Sequence, residues 1–154
     1  MSSPMSDTLL NPAELAFLVA ARRAILATIA PDGRPRLVPV CFIVEAADGV
    51  RILTPLDDKP KTTDDKRTLA RVRDIQARPD VSLLVERWDE DWTRLAWLRL
   101  HGLAAIVEPD DVSSDAVGRL REKYPQYADH ALESSPMVAI DVHRASSWGA
   151  LDPA

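Results

Sequence analysis

The chain contains little cysteine and little glycine. Its single cysteine, Cys41, cannot form an internal disulfide, and this usage is typical of a reducing compartment. Its five glycines are isolated from one another, which excludes a glycine-rich phosphate-binding loop. No apolar run reaches the roughly 18 residues that a membrane-spanning helix needs. We therefore expect a cytoplasmic protein that does not enter the membrane.

Residues for hydrolytic or metal chemistry are also sparse. The three histidines are not accompanied by a Gly-x-Ser-x-Gly motif, and no cysteines or histidines occur at metal-ligand spacing. The acidic run at 89–91 is more typical of a solvated loop than of a cation site. The sequence therefore predicts no metal site, and it indicates no catalytic side chain.

The composition is that of an ordinary globular domain. The chain has 154 residues, of which 46% are hydrophobic and 28% are charged, and a chain of this length forms one domain around one core. Residues 1–10 have neither the cationic start nor the apolar stretch of a signal peptide. We expect residues 1–10 to form a flexible leader and residues 11–150 to form the domain.

The charge is unevenly distributed. The net charge of −5 argues against general nucleic-acid binding. Residues 59–78, called the basic segment below, nevertheless carry seven cationic side chains against three carboxylates, a net charge of +4. The cations are Lys59, Lys61, Lys66, Arg67, Arg71, Arg73 and Arg78. A local anionic ligand explains this segment, and a solvated basic helix face is the alternative.

Hydrophobic periodicity and turn signals predict alternating strands and helices. We expect strands at 25–29, 36–44, 50–54, 81–87, 94–107 and 137–143, helices at 11–23, 66–78 and 110–123, a short helix at 126–133, and irregular chain at 146–149. Pro39 cannot donate a ladder hydrogen bond, so the second strand has an edge, a bulge or a break there. Gly102 marks a bulge or bend. Consecutive hairpins with one crossover helix predict a small antiparallel barrel with helices on its rim.

Two expectations concern surfaces. Residues 81–87 are apolar on both faces, which is typical of a strand in a closed barrel or at a dimer interface, and a chain of this size cannot cover both faces alone. Arg71 lies off the helical stripe of Leu69, Val72 and Ile75, so its side chain is expected to point away from the core. We therefore expect a homodimer in which Arg71 is available to a ligand.

Several short motifs occur in the order found in a known family. They are Asp32–Pro35 with Val38–Val40, Thr54-Pro55, Lys59–Lys61, Arg71–Ile75, Arg78–Val85, and Asp89–Trp92 with His101-Gly102. Over residues 12–148 the chain resembles the flavin-binding split-barrel proteins related to pyridoxamine 5'-phosphate oxidase. It resembles most closely the branch of coenzyme F420-dependent oxidoreductases.

This resemblance implies a fold, an activity and a site. The fold is an α+β antiparallel split β-barrel with peripheral helices, of the FMN-binding type. The activity is hydride transfer between the deazaflavin coenzyme F420 and an unsaturated small organic substrate, at sites between the subunits of a homodimer. In the family a basic residue four positions before an aliphatic one, here Arg71 before Ile75, grips the cofactor phosphate. The implied cofactor-binding residues are Val38, Pro39 and Val40 along the ring, Thr54, Pro55, Lys59, Lys61, Arg67 and Arg71 around the phosphate, and Trp92 reaching across from the second subunit.

Other functions stay open at this point. The family contains FMN, deazaflavin and haem-related members, so the cofactor does not follow from the fold. The alternatives are an FMN-dependent oxidoreductase and a non-catalytic protein that binds or sequesters a flavin or deazaflavin. An oligonucleotide-binding barrel is disfavoured because the chain outside the basic segment has a net charge of −9. Trp92 is interpreted equally well as a loop aromatic buried in a dimer interface.

Overall fold

The structure, a computed structural model, describes residues 9–56 and 69–152, and over these ranges the chain forms seven strands and three α-helices. The strands are β1 (Ala24–Ile29), β2 (Pro35–Val40), β3 (Ile43–Glu45), β4 (Arg51–Pro55), β5 (Asp80–Arg87), β6 (Ala96–Val107) and β7 (Met137–Gly149). The helices are α1 (Pro12–Ala20), α2 (Ala70–Ala77) and α3 (Ala116–Lys123). Short 3-10 turns occur at Trp92–Arg94, Pro109–Asp111, Pro125–Asp129 and Leu132–Ser134.

The strands form one antiparallel sheet that closes on itself. Its order is β2-β1-β5-β6-β7-β4-β3, so β2 and β3 lie at opposite edges. Only Cys41 and Phe42 separate these two strands along the chain. Because three Cα steps span at most about 11 Å, the two edges of the sheet come together at this junction. The antiparallel split barrel with peripheral helices is therefore confirmed, and the junction between β2 and β3 is the split in its wall.

Hydrogen bonds from the end of α3 hold this junction. The Phe42 N–H donates to the Tyr124 hydroxyl oxygen at 3.1 Å, and the hydroxyl donates to the Arg22 carbonyl oxygen at 2.9 Å. The Lys123 Nζ donates to the Phe42 carbonyl oxygen at 3.0 Å. Because β3 is an edge strand, main-chain groups beside it lack a neighbouring strand, and these side chains satisfy them instead.

Burial alternates along the strands and separates the core from an outer face. On β5, Val81, Leu83 and Val85 are buried in the barrel, whereas Leu84 points outward and is exposed. Leu84 is the one apolar residue among the outward positions of β5. The prediction that this strand is apolar on both faces therefore holds for the inner face and overstates the outer one.

The edge position of β2 explains Pro39. β2 pairs with β1, its other edge has no strand beside it, and β2 ends at Val40. The predicted strand 36–44 is therefore divided into β2 and β3. A proline fits here because an edge strand does not need every N–H as a donor. Both the edge and the break that Pro39 indicated are confirmed.

The last strand is longer than predicted. β7 extends to Gly149, so the prediction of irregular chain at 146–149 is wrong. It pairs with β6 over the full length of β6, and this long pairing overrides the weak strand propensity of the serine pair at 146–147. The register shifts between His101 and Gly102, which confirms the predicted bulge. A Cβ at Gly102 would lie 2.5 Å from the Asp141 carbonyl oxygen, so the close pairing requires glycine.

The helices are confirmed in place but are shorter than predicted. α1 begins with the expected capping box, in which the Asn11 side chain accepts from the Glu14 N–H at 2.8 Å and the Glu14 carboxylate accepts from the Asn11 N–H at 3.0 Å. It ends at Ala20 rather than near Arg23. α3 begins at Ala116, because a 3-10 turn occupies the residues after Pro109. The predicted short helix at 126–133 is a pair of 3-10 turns.

The structure does not describe residues 1–8, 57–68 or 153–154, so most of the predicted leader lies outside the described residues. Of the leader, Leu9 and Leu10 are described. Leu10 is buried in the core and Leu9 packs against it, so the core includes residues that the leader was predicted to contain. Among the described residues, no helix is long and apolar enough to cross a membrane.

Replacing Tyr124 by phenylalanine tests how the split is held. Y124F removes the hydroxyl that accepts from the Phe42 N–H and donates to the Arg22 carbonyl, which leaves buried main-chain groups unpaired. We expect the free energy of unfolding, measured by urea denaturation at pH 7, to fall by about 1–3 kcal/mol. An unchanged free energy of unfolding would mean that this hydroxyl does not hold the junction.

Candidate functional site

A buried carboxylate joins α2 to the first two strands. Asp74, on α2, is only 3% exposed. Its Oδ2 accepts a hydrogen bond from the Arg36 Nε at 2.7 Å and another from the Thr28 hydroxyl at 2.8 Å. Thr28 lies on β1 and Arg36 on β2, so this one oxygen connects three elements.

The three groups form a charged network. Burial alone would raise the pKa of Asp74, but hydrogen bonds from Arg36 and Thr28, together with the positive charges of Arg36 and Arg73, outweigh it and hold this pKa below its usual value. The same contact raises the pKa of Arg36. Asp74 is therefore ionised at neutral pH, and it fixes the Arg36 guanidinium in one orientation through charge-assisted hydrogen bonds.

A cavity of about 290 Å³ lies beside this network, between α2 and the turn that follows β1. We call it the arginine pocket, because three guanidinium groups line it, those of Arg36, Arg73 and Arg78, against the single carboxylate of Asp74. The rest of the lining is apolar: Ile29, Ala30, Pro31, Ala70 and Ala77. In the part of the chain that the structure describes, the side chains of Arg73 and Arg78 form no hydrogen bond and no ion pair. Like charges around a cavity repel one another, so the arrangement favours a bound anion.

Arg71 does not line the arginine pocket. It is half-buried, and on the helix it lies between Asp74 and Ile75, which are both buried. The helical position of Arg71 thus lies on the buried side of α2, whereas the sequence predicted a side chain that points away from the core. Two residues along a helix turn by about 200°, so Arg71 and Arg73 project from opposite sides of α2. The described cations of the basic segment thus lie on two sides of α2.

The predicted phosphate-binding residues are only partly described. Lys59, Lys61 and Arg67 lie outside the described residues. Thr54 and Pro55 form the buried end of β4, where Thr54 pairs with Val138 of β7. The chain passes from this strand end to α2, so Thr54 and Arg71 lie on the two elements that flank the undescribed stretch.

The three predicted ring-lining residues divide between two faces. Val40 is buried and Val38 is half-buried, and both belong to the barrel core. Pro39 points to the outer face and is exposed, as its neighbour Leu37 is. Side chains alternate along a strand, so Val38, Pro39 and Val40 cannot all present side chains to one ring face. A ring on the outer side would contact Pro39, and a ring on the inner side would contact the two valines.

Trp92 lies far from the arginine pocket of its own chain. It is 69% exposed in the 3-10 turn after β5, and its ring meets that of Trp88 edge-on, with centroids 6.3 Å apart. The pocket lies at the other end of β5, beside Arg78. Eight strand residues span about 25 Å, so Trp92 does not reach the pocket within one chain.

His101, on β6, makes a short hydrogen bond on the outer face of the sheet. Ser82 Oγ lies 2.7 Å from His101 Nδ1, across the β5–β6 pair. Burial, together with the charges of Arg99, Arg144 and His143, lowers the pKa of His101, so this imidazole is neutral at pH 7. The described residues add no third group that would complete a nucleophilic triad here.

The sequence analysis missed Arg36 as a site residue. The available signal was its spacing, because Arg36, Val38 and Val40 alternate along one strand and therefore share its inner face. An arginine on the core side of a strand requires a buried acidic partner. Arg73 and Arg78 were assigned to the basic segment, but their convergence on Arg36 depends on how α2 packs, which local patterns do not determine.

Known proteins share this architecture. Residues 10–149 match the model of a family described as pyridoxamine 5'-phosphate oxidase. A conserved hypothetical protein of Mycobacterium tuberculosis has 25% identity and a TM-score of 0.67, and the match covers 94% of this chain and 88% of that one. No curated protein matches the chain.

Two other solved structures have names that refer to a ligand. An F420 reductase has 20% identity and a TM-score of 0.58, with 85% of this chain and 94% of that one covered. The heme storage protein HutZ of Vibrio cholerae has 17% identity and a TM-score of 0.62, with 92% and 94% covered. At these identities both likenesses establish the fold.

The substitution Asp74→Asn tests the charged network. D74N keeps the shape of the side chain and removes its charge, so we expect the free energy of unfolding to fall by about 1–3 kcal/mol at pH 7. The folded-state pKa of Asp74 is depressed, so its stabilisation is present above the usual pKa of about 4 and is lost as the pH falls through the folded-state value. The difference between wild type and D74N should therefore shrink below pH 4.

A matched control is Asp32→Asn. Asp32 is an exposed carboxylate 3.7 Å from Arg34, and exposed pairs contribute little, so we expect D32N to change the free energy of unfolding by less than about 0.5 kcal/mol. Equal effects of D74N and D32N at every pH would contradict the account of a buried, ionised Asp74.

Proposed function

The chain belongs to the pyridoxamine 5'-phosphate oxidase family, and on that premise we propose that it is a coenzyme F420-dependent oxidoreductase that transfers hydride between the reduced deazaflavin and an unsaturated small organic substrate. The observation that carries the proposal is the arginine pocket at α2, in a chain whose overall charge is negative. Cofactors of the flavin and deazaflavin type are anions that need such a site.

The amount of positive charge favours coenzyme F420 over FMN. One phosphate requires about two guanidinium contacts, whereas Arg36, Arg73, Arg78 and Arg71 lie on or beside α2 and the undescribed stretch carries further cations. Coenzyme F420 carries carboxylates on its lactyl-glutamyl tail in addition to its phosphate, so it can use the additional cations. FMN is the second candidate, since the arginine pocket also suits its single phosphate.

In this proposal the role of the protein is to bind the cofactor and to orient it. Bound coenzyme F420 supplies the hydride chemistry. Asp74 holds Arg36 in place, so the guanidinium is oriented before an anion arrives, and Arg73 and Arg78 close around the charge. The apolar lining formed by Ile29, Ala30 and Pro31 limits water at one side of the pocket. Asp74 is kept ionised and the described lining adds no other acid, so the reaction proton comes from solvent or from the substrate.

We further propose that the active form is a homodimer. Apolar side chains are exposed on the outer face of the sheet, with Leu37 66% exposed and Trp148 53% exposed, and Leu84 and Leu103 between them. A second copy that covers this face would remove these side chains from water. In such a dimer Trp92, which is too far from the arginine pocket of its own chain, would be placed to reach that of the second copy.

Titration with both cofactors tests the proposed function. We expect coenzyme F420 to bind at least tenfold more tightly than FMN, measured by fluorescence and absorbance at equilibrium, because it offers more negative charge to the basic segment. Reduced coenzyme F420 should then be oxidised on addition of an electron-poor alkene. A tenfold preference for FMN would reverse the choice of cofactor, and tight binding without any turnover would support a sequestering protein instead.

Arginine substitutions test which cations hold the anion. Arg71→Ala and Arg73→Ala should each raise the dissociation constant roughly ten- to hundred-fold, since a charge-assisted contact contributes about 1.5–3 kcal/mol. The matched control is Arg23→Ala, which removes an exposed arginine after α1 that forms no described hydrogen bond or ion pair. An effect of R73A alone would place the anion in the arginine pocket, and an effect of R71A alone would place it on the other side of α2.

The dimer is tested by charging its proposed interface. Wild type should sediment as a species of about twice 17.0 kDa at micromolar concentration. Leu37→Lys and Leu84→Lys place charge on the outer face and should shift the protein toward monomer. Val19→Lys is the matched control, because Val19 is an apolar residue on α1 whose exposure of 51% lies between those of Leu37 at 66% and Leu84 at 37%. A wild type that is monomeric at all concentrations would exclude both the dimer and a shared site.

A further inference from the structure

A second basic cavity shares no lining residue with the arginine pocket. This groove of about 460 Å³ runs between α1 and α3 over the free edge of β3. Its cationic residues are Arg22, Arg119 and Lys123, and its floor is apolar: Val19, Ala20, Ile43 and Val44. The one carboxylate in its lining, Glu122, is exposed and forms no ion pair with any of these cations among the described residues.

The amine of Lys123 is held in a fixed position in this groove. Its Nζ lies 3.0 Å from the Phe42 carbonyl oxygen and 4.0 Å from the centroid of the Phe42 ring, with the Tyr124 ring at 5.4 Å. Lys123 is half-buried and pairs with no described carboxylate. Within residues 9–56 and 69–152, its partners are a neutral carbonyl and two aromatic rings, which do not compensate a full charge as a carboxylate would.

The surroundings of this amine favour its uncharged form. Burial and the neighbouring charge of Arg22 lower the pKa of Lys123 to about 8, although interaction with Cys41 opposes the change. With this pKa, about one tenth of the amine is unprotonated at pH 7 and about a quarter at pH 7.5, and an unprotonated amine is a nucleophile. Tyr124, whose pKa is raised by burial, stays neutral beside it.

We propose that Lys123 is an acylation site that reacts with small acyl phosphates. Arg22 and Arg119 line the same groove. Arg22 Nη2 donates to the Lys123 carbonyl oxygen at 2.5 Å, and Arg119 donates to the Val44 carbonyl oxygen and lies 3.9 Å from the Glu45 carboxylate. The remaining N–H groups of Arg22, with Arg119 as a second cation, would bind the phosphate of such a molecule and bring its acyl carbon to the amine. The Lys123 Nζ lone pair forms a bond to the acyl carbon, the bond from that carbon to the phosphate oxygen breaks, inorganic phosphate leaves, and the amine proton passes to water. This inference is independent of the proposed cofactor and of the dimer.

Acylation would act on the split of the barrel. It removes the positive charge and with it the cation–π contact to the Phe42 ring. The Phe42 carbonyl oxygen, which accepts the hydrogen bond from Lys123 Nζ, belongs to the two-residue junction that follows Val40. The modification therefore changes the contacts that hold β3 against α3.

The test compares acetylation of Lys123 by acetyl phosphate in the folded protein and in concentrated urea, with peptide mass spectrometry as the readout. At pH 7.5 we expect Lys123 to react about tenfold faster when folded, because its amine is partly unprotonated only then. The rate in the folded protein should reach half its maximum near pH 8, against about pH 10.5 in urea. Lys123→Arg confirms the assignment of the modified peptide.

Arg22→Gln tests whether Lys123 reacts because Arg22 activates its amine or only because the amine is accessible to solvent. R22Q removes a charge that lowers the pKa of Lys123 and that attracts the phosphate, so acetylation of folded R22Q should be several-fold slower than that of wild type. Equal rates for Lys123 in the folded and unfolded protein would overturn the proposal, and so would a midpoint near pH 10.5 in the folded protein. An unchanged rate in R22Q would remove the arginine-assisted step and contradict the proposal in this form.

Discussion

The ion pair between Asp74 and Arg36 is the interaction on which the rest of the candidate site depends. A carboxylate removed from water is tolerated only when it is paired and hydrogen-bonded, and Asp74 finds its partners on β1 and β2 rather than on its own helix. The requirement fixes where α2 lies against the barrel. It thereby also fixes the exposed side of α2, from which Arg73 and Arg78 face the cavity, and the half-buried side, which carries Arg71.

The barrel itself depends on a junction of two residues. Because Cys41 and Phe42 alone connect the two edge strands, the sheet has to curve until those edges meet, and no ladder of hydrogen bonds spans the gap between them. Tyr124 and Lys123 provide the missing partners from outside the sheet. The fold thus has two points where polar side chains replace main-chain pairing or packing, one at α2 and one at the end of α3. The candidate cofactor site adjoins the first, and the reactive amine belongs to the second.

The features that the sequence predicted well are local ones. The capping box at Asn11, the edge strand at Pro39 and the bulge at Gly102 each rest on a constraint that one or two residues impose, and each is present. The length of β7 could not be predicted in this way, because its last residues are strand only through their pairing with β6. The position of Arg71 on the half-buried side of α2 was not predicted for a similar reason, since Asp74 makes a polar position part of that side.

The excess positive charge of the candidate site could be predicted from the sequence, but the spatial arrangement of its residues could not. The excess of cations in the basic segment indicated an anionic ligand, whereas the inclusion of Arg36, far away in sequence, required the tertiary contact between β2 and α2. The proposed contribution of Trp92 would require a second copy and therefore a surface that no single-chain pattern describes. For these reasons the proposed cofactor rests on the family resemblance, and the structure adds the arrangement of charges beside α2.

In the proposed function, the cations around α2 hold the anionic part of a deazaflavin. The most direct measurement compares the affinity of the protein for coenzyme F420 with its affinity for the same deazaflavin ring lacking the phosphodiester tail. If guanidinium contacts to the tail supply much of the binding free energy, the dissociation constant of the tailless molecule should be larger by at least about a hundredfold, equivalent to about 2.7 kcal/mol. Equal affinity for the two molecules would contradict the account, because it would mean that the ring alone is recognised and that the arginines take no part.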